Sequence, residues 1–251
     1  ALTITTGRWA RPLKRLAEGF GLFMIPLYLF LVAFLLGGGL DIYEWSHWSD
    51  YDRHSYAHKG IYLTKDFFTL RMVVLLGILN LLNVAYIRLS LRADCGMAVK
   101  RMGDKAPALW HKLAAGCSSE GEVAEIYEKQ SRLAPVIAIS YALIFSVVAV
   151  DMSMSLSPHW FANMFPAWYF MSCFWSGLVF LGIFSLTLRE WLGFGKLLDG
   201  KVYHDLGKLT FALCMFWGYT TFAQWLAIWY GNMTEEIGFL LLRAEIEPWK
   251  G

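Results

Sequence analysis

Apolar residues gather into five long runs along the chain, separated by strongly polar connections. The runs extend over about Phe20–Leu40 (opening FGLFMIPLYLFLVAFLLGGG), Phe67–Leu89, Ala134–Leu156, Trp160–Leu188 and Leu206–Tyr230. At about 1.5 Å of rise per helical residue, each is long enough to cross a hydrocarbon layer of about 30 Å. None alternates with a period of two, so a transmembrane β-barrel is not expected. The pattern predicts an all-α fold, a polytopic transmembrane helical bundle, with residues 1–250 forming a single transmembrane domain. The fourth run is the longest and is expected to tilt or to project from the membrane. IGFLLLR, at Ile237–Arg243, is too short to span and reads as an interfacial segment or as the start of a further element.

The connections carry the orientation signal. Basic residues cluster before the first run (Arg8, Arg11, Lys14, Arg15), between the second and third (Arg92, Lys100, Arg101, Lys105, Lys112, Lys129, Arg132), and between the fourth and fifth (Arg189, Lys196, Lys201) with Lys208 following. With five spans these stretches fall on one side, which the positive-inside bias makes cytoplasmic, the N-terminal basic segment included. The opposite side then holds Asp41–Asp66, the turn at Ser157–His159 and the acidic end beyond Asn232. Residues 91–132 form the largest cytoplasmic loop. Its stretch SSEGEVAEIYEKQSRL combines an N-cap signal at Ser118 or Ser119 with the spacing of an amphipathic surface helix.

Composition strengthens the membrane reading. Hydrophobic residues make up 57% of the 251 and charged residues 17%, against about 45–50% and 25% in a soluble domain. The mean hydropathy is +0.44. The basic stretches are explained by topology, so no nucleic-acid partner is expected. The chain begins with Ala and carries no signal-peptide pattern, which fits either processing or an incomplete chain.

Ionisable and amide groups at bilayer depth are costly, and each needs a partner or a task. Asp151 lies near the outer end of the third run, with His159 after the following turn. It reads either as a group that exchanges protons or binds a cation, or as an interfacial residue that caps a turn or pairs with the second run. Arg71, Asn80 and Asn83 lie in the second run. The two amides share a helix face and suit helix pairing, and Arg71 can snorkel or pair with Asp66 or Asp151. In the fifth run Thr220 and Gln224 lie four apart, where with Tyr219 they line a hydrated path or act as packing contacts. His204 and Asp205 stand at the cytoplasmic mouth of that run, and Glu235 and Glu236 beyond its outer end, as entry and exit groups for protons or as ordinary terminal charges. Glu18 pairs with Lys14 or Arg15, or opens a path inward.

The histidines are His47, His54, His58, His111, His159 and His204, none in the middle of a run, which argues against a haem held between helices. His54 and His58 with Asp50 and Asp52 lack a compact metal-ligand signature. The four cysteines, Cys95, Cys117, Cys173 and Cys214, form no CxxC pair, so an iron–sulfur cluster, a c-type haem and a thiolate zinc site are not expected. Scattered thiols are expected ahead of a lone disulfide. GGG at 37–39 reads as a helix end or hinge.

Five stretches, in order, resemble one family. WARPLKRLAE (Trp9–Glu18) is similar to the start of a core helix in polysulfide-reductase-type membrane subunits. IYEWSHWSDYDRHSYAH (Ile42–His58) resembles the outer loop of the smaller such subunit of bacterial alternative complex III, a quinol-oxidising respiratory assembly. YLTKDFFTLRMVV (Tyr62–Val74) is similar to its next helix start, and DMSMSLSPHWFANMF (Asp151–Phe165) to its Asp-x-x-Met-Ser-Leu-x-Pro-His-Trp pattern. HDLGKLTFALCMFWGYTTFAQWLAIWYGNMTEEI (His204–Ile237) is the most specific match. The resemblance implies a longer subunit of about ten spans in two four-helix bundles, of which this chain is the middle part.

The implied function is that of an integral membrane subunit of a quinol:electron-acceptor oxidoreductase in the bacterial inner (cytoplasmic) membrane. It anchors the complex and conducts protons, with no cofactor of its own and no catalytic residue. The implied partners are a larger, homologous quinol-binding membrane subunit, an iron–sulfur subunit, multihaem and monohaem cytochrome c subunits, and membrane lipids. The complex carries its c-type haems and iron–sulfur clusters in those other subunits, with quinol as its substrate. Asp151, His159, His204, Asp205, Gln224, Glu235 and Glu236 fall on motif positions and are the implied proton-path candidates. The alternative is a subunit that binds and oxidises quinol directly, as in polysulfide or nitrite reductase complexes. The first run has no histidine where the quinol-binding homologue tends to have one, which favours the first reading. A secondary transporter would need paired broken helices, which the runs do not show.

Overall fold

The computed structural model describes Thr3 and residues 11–49, 57–114, 117, 119–158, 160–191, 193, 195, 198–232, 236–237 and 241. Among the described residues the regular structure is helical throughout: α1 (Arg11–Leu36), α2 (Ala57–Tyr62), α3 (Lys65–Met102), α4 (Ala108–Ala114), α5 (Glu120–Val148), α6 (Phe165–Leu188) and α7 (Gly200–Gly231). Five segments are long and apolar enough to cross a membrane: Leu13–Leu36, Lys65–Lys105, Glu120–Leu156, Phe165–Leu188 and Gly200–Gly231. The protein is an all-α, polytopic transmembrane helical bundle.

Helix α3 packs on α1 and α5, and α6 closes the ring by meeting both α5 and α1, giving a four-helix bundle. Helix α7 lies outside that ring, packed on α6. Trp168 on α6 donates Nε1–H to Thr221 Oγ1 at 2.8 Å, and Trp175 donates to the Thr210 carbonyl at 3.1 Å. Their rings sit 6.0 and 5.7 Å from that of Trp217. Only 6% of the apolar window of the first span and 22% of the second are buried within the protein. Side chains such as Phe23, Phe30, Leu81 and Phe211 therefore point outward, as lipid as solvent requires.

The half of the bundle next to the α1–α2 connection, the end expected to face outward, holds the main core, in which Leu35, Leu40, Phe68, Met72, Leu79, Ile144 and Val148 pack together. The chain leaves α1 through Gly37, whose N–H reaches the Ala33 carbonyl, and turns at Gly38 with a φ of 90° that suits glycine. Two 3₁₀ turns, Gly39–Ile42 and Glu44–His47, then fold inward and seat Tyr43 and Trp45 against Phe68. Lys65 binds Asp41 at 2.8 Å on the exposed rim, and this hydrogen bond and charge hold the Asp41 carboxyl below its usual range.

The helix boundaries depart from the apolar runs in an instructive way. Helix α3 has 38 residues, about 57 Å at the standard rise, so it overshoots a 30 Å core by several turns. It stays helical past Leu89 because Ala93 packs with Cys117 and Ile126 in a small core of its own. The stretch expected as a separate surface helix is the beginning of α5, continuous with the third span. Ser119 is its N-cap, accepting from the Glu122 N–H while Glu122 accepts from the Ser119 N–H. The fourth run, expected to be longest, is the shortest of the five helices at 24 residues, because Trp160–Met164 is a non-helical link before Pro166 opens α6. All four cysteines are free thiols.

Candidate functional site

Asp151 is fully buried where α5 ends, in a π-helical segment, Ala149–Ser153. Wider turns of this kind are rare and occur often at functional sites. Arg71 on α3 grips the carboxylate in a fork, Nε donating to Oδ2 at 2.6 Å and Nη2 to Oδ1 at 2.8 Å. This two-point geometry is the strongest form of the interaction and ties α3 to the outer end of α5. Of the two partners open to Arg71 from the sequence, Asp151 is the one it takes.

Aromatic rings enclose the pair. The Arg71 guanidinium lies 3.8 Å from the Tyr62 ring centre and 4.6 Å from that of Phe67. The two rings meet edge to face, 6.2 Å apart at 82°. Burial pushes Tyr62 up to about 12, with the nearby Asp151 charge adding and Arg71 opposing, so the phenol keeps its proton at ordinary pH. Tyr43 donates to the Met152 carbonyl at 3.4 Å, and the Ser155 hydroxyl donates to the Asp151 carbonyl. Burial raises Tyr43, with the Asp151 charge adding. Arg71 Nη1 is buried and unpaired.

The remaining candidates separate. Asn80 donates to the Leu76 carbonyl of its own helix at 3.0 Å, leaving its Oδ1 buried and unpaired, whereas Asn83 reaches across to Met24 Sδ on α1 at 3.4 Å. Helix pairing through an amide thus falls to Asn83. On α7, Thr220 is buried and bonds back to the Phe216 and Trp217 carbonyls, Gln224 is half-buried, and Tyr219 is 67% exposed on the opposite side. The three do not line one path. A 100° step per residue puts Tyr219 and Gln224 about 140° apart, so only Thr220 and Gln224 share the face toward α6.

His204 is exposed at the inner end of α7 and Asp205 pairs with Lys208 at 3.6 Å. Glu236 is half-buried beyond the outer end, and His159 and Glu235 lie outside the described residues, as do Asp50, Asp52, His54 and the His58 side chain. Asp151 therefore belongs to the four-helix ring, while Gln224, His204 and Asp205 belong to the helix outside it. Glu18 is buried and paired with Arg15 and with Lys14 (3.9 Å), and Arg15 continues to Asp94 of α3. Tyr127 of α5 donates to the same Asp94 at 3.2 Å, which closes an inner clamp across three helices.

Sequence reasoning missed Tyr62 and Gln130. Phe67 and Arg71 are four apart on a helix and so predictable as neighbours, but Tyr62 reaches the pair from the separate α2. Gln130 is 1% exposed with Nε2 unpaired, hidden in what reads as a surface stretch. An open cavity of about 370 Å³ lies at the inner end, lined by Gly96, Met97, Lys100, Arg101, Ser119, Glu120 and Val123. Among the described residues no cluster of His, Cys, Asp or Glu is arranged to hold a metal ion. Compared with family models and with curated proteins, the chain matches none.

Proposed function

We propose that the chain is a membrane-anchoring subunit of a quinol-oxidising respiratory assembly of the alternative complex III type, and that it handles protons at Asp151. Electron-carrying groups sit in partner subunits, and this chain holds those partners in the bacterial inner membrane. The observation that carries the proton role is that Asp151, with no exposed surface, lies inside the four-helix ring and is held by one guanidinium. Such a charge is expensive in a membrane and is kept where it has a task. The assignment to a respiratory assembly rests on the five motif stretches from Trp9 to Ile237, supported by a bundle of membrane-length helices.

The test is purification of the intact assembly from its native membrane, with D151N beside the wild type. Co-purified c-type haem and iron–sulfur proteins are the expected result, together with quinol turnover that continues in D151N while proton uptake per turnover falls. A chain that purifies without redox partners sinks the assembly reading. Unchanged proton uptake in D151N sinks the role of Asp151.

A further inference from the structure

The Arg71–Asp151 pair joins two helices, but neither helix alone fixes the guanidinium. An arginine side chain has four rotatable bonds, and Arg71 stands about one turn inside a span, where its unconstrained head would turn outward toward the water layer. Two aromatic rings hold it inward. Phe67, one turn earlier on α3, offers its ring at 4.6 Å from the guanidinium carbon. Tyr62 offers a second ring, at 3.8 Å, from a different element. The two rings stand nearly perpendicular, so the guanidinium lies in the notch between them. A cation over an aromatic face is attracted by the ring quadrupole, and more strongly where water is excluded.

We infer that Tyr62 is the positioning residue of the buried pair, its ring holding Arg71 in the notch against Phe67. Tyr62 is the last residue of the short helix α2, which is tied down separately. Lys59 donates Nζ–H to the Pro158 carbonyl at 2.8 Å and lies 5.9 Å from the Phe161 ring centre. Helix α2 therefore bridges two places: the link that follows α5, through Lys59, and the ion pair, through Tyr62. The two anchors, Lys59 and Tyr62, lie within the one short helix Ala57–Tyr62. The ring keeps the guanidinium from swinging outward, so that its two donors stay on the carboxylate.

The inference deepens the reading of Asp151 given above, yet its test reads geometry and not proton transfer, so the two can fail separately. The full chain is placed in lipid nanodiscs with ¹⁵N in the arginine guanidinium groups and ¹³C in the aspartate carboxyl groups. Solid-state dipolar recoupling then reports which guanidinium lies against a carboxyl group, and the signal that vanishes in D151N belongs to the buried pair. Y62F keeps the ring, and the coupling is expected to persist. Y62L removes the ring, and the coupling is expected to be lost although the helical circular dichroism is retained. F67L, which leaves α2 untouched, is expected to weaken the coupling by a smaller amount. If Y62L and F67L both retain the full wild-type coupling, the aromatic notch does not position Arg71 and the inference is overturned. If Y62L does not fold, Y62W decides. A ring without the hydroxyl should keep the coupling, and its loss there overturns the proposal.

Discussion

A charge buried in a membrane protein is cheap only while its partner is present, and Asp151 makes the consequence measurable. Its carboxylate is wholly enclosed and both oxygens are occupied by one guanidinium. Removing Arg71 alone leaves an uncompensated negative charge, and removing Asp151 alone leaves a guanidinium with no acceptor. R71A is expected to destabilise the protein by about 3–5 kcal/mol, the range for breaking one side of a buried pair. The double variant R71M/D151L replaces both charges with apolar groups and should recover most of that loss, because no charge remains to be desolvated. Reversible unfolding in mixed micelles gives both numbers, and a double variant as unstable as the sum of the singles would contradict the account. At this scale the sequence was partly legible. Arg71 and Asp151 stand out because charges in apolar runs always do, and their pairing was one of two options. Tyr62 did not stand out, because a tyrosine at the edge of a membrane span is ordinary. Only the fold brings α2 over the pair.

At the scale of elements, hydropathy located five spans but not where their helices stop. A helix continues past the apolar run if its polar turns find something to pack on, and α3 finds α4 and the start of α5. The contact depends on a glycine. A Cβ at Gly96 would lie 2.6 Å from the Cys117 carbonyl oxygen and 3.2 Å from its sulfur. G96A must therefore push the Cys117 segment away from α3, at a cost of about 1–3 kcal/mol as for other overpacked sites. Cys117 is 3% exposed, so its reaction with a maleimide reports the displacement directly. Faster labelling of Cys117 in G96A is the expected outcome, and an unchanged rate means that the backbone absorbs the methyl group elsewhere. The Ser119 cap was readable as a motif because its chemistry is local. The Gly96 contact was not, since nothing in the residues around position 96 announces Cys117 as a neighbour. The π-helical turn at Asp151 belongs with it, because it depends on how α5 meets its neighbours and not on a signature in VVAVDMS.

Across the whole molecule, the inner and outer ends of the bundle are built differently, and this difference carries the expected orientation. The inner end projects charged helix, with Lys100, Arg101 and Lys112 all exposed, and it is braced by Arg15, Glu18, Asp94 and Tyr127. The outer end folds its loop inward, burying Trp45 and Tyr43 over the core, and places Ile42 on the surface at 70% exposure. Basic connections stay on the cytoplasmic side because moving them across is costly, so the α4 end should face the cytoplasm. Single cysteines at Lys112 and Ile42, treated with a membrane-impermeant maleimide, test this without relying on any function. K112C should label in inside-out vesicles and be silent in right-side-out ones, and I42C should do the reverse. The native thiols interfere little, since Cys95 and Cys117 are buried and Cys173 and Cys214 lie within α6 and α7. If both positions label from the same face, the alternation of five spans is wrong. A reversed but still opposite pattern keeps the crossing of α3 and overturns only the direction. In that case the basic connections would lie outside, together with the end of α7 that bears His204 and Asp205.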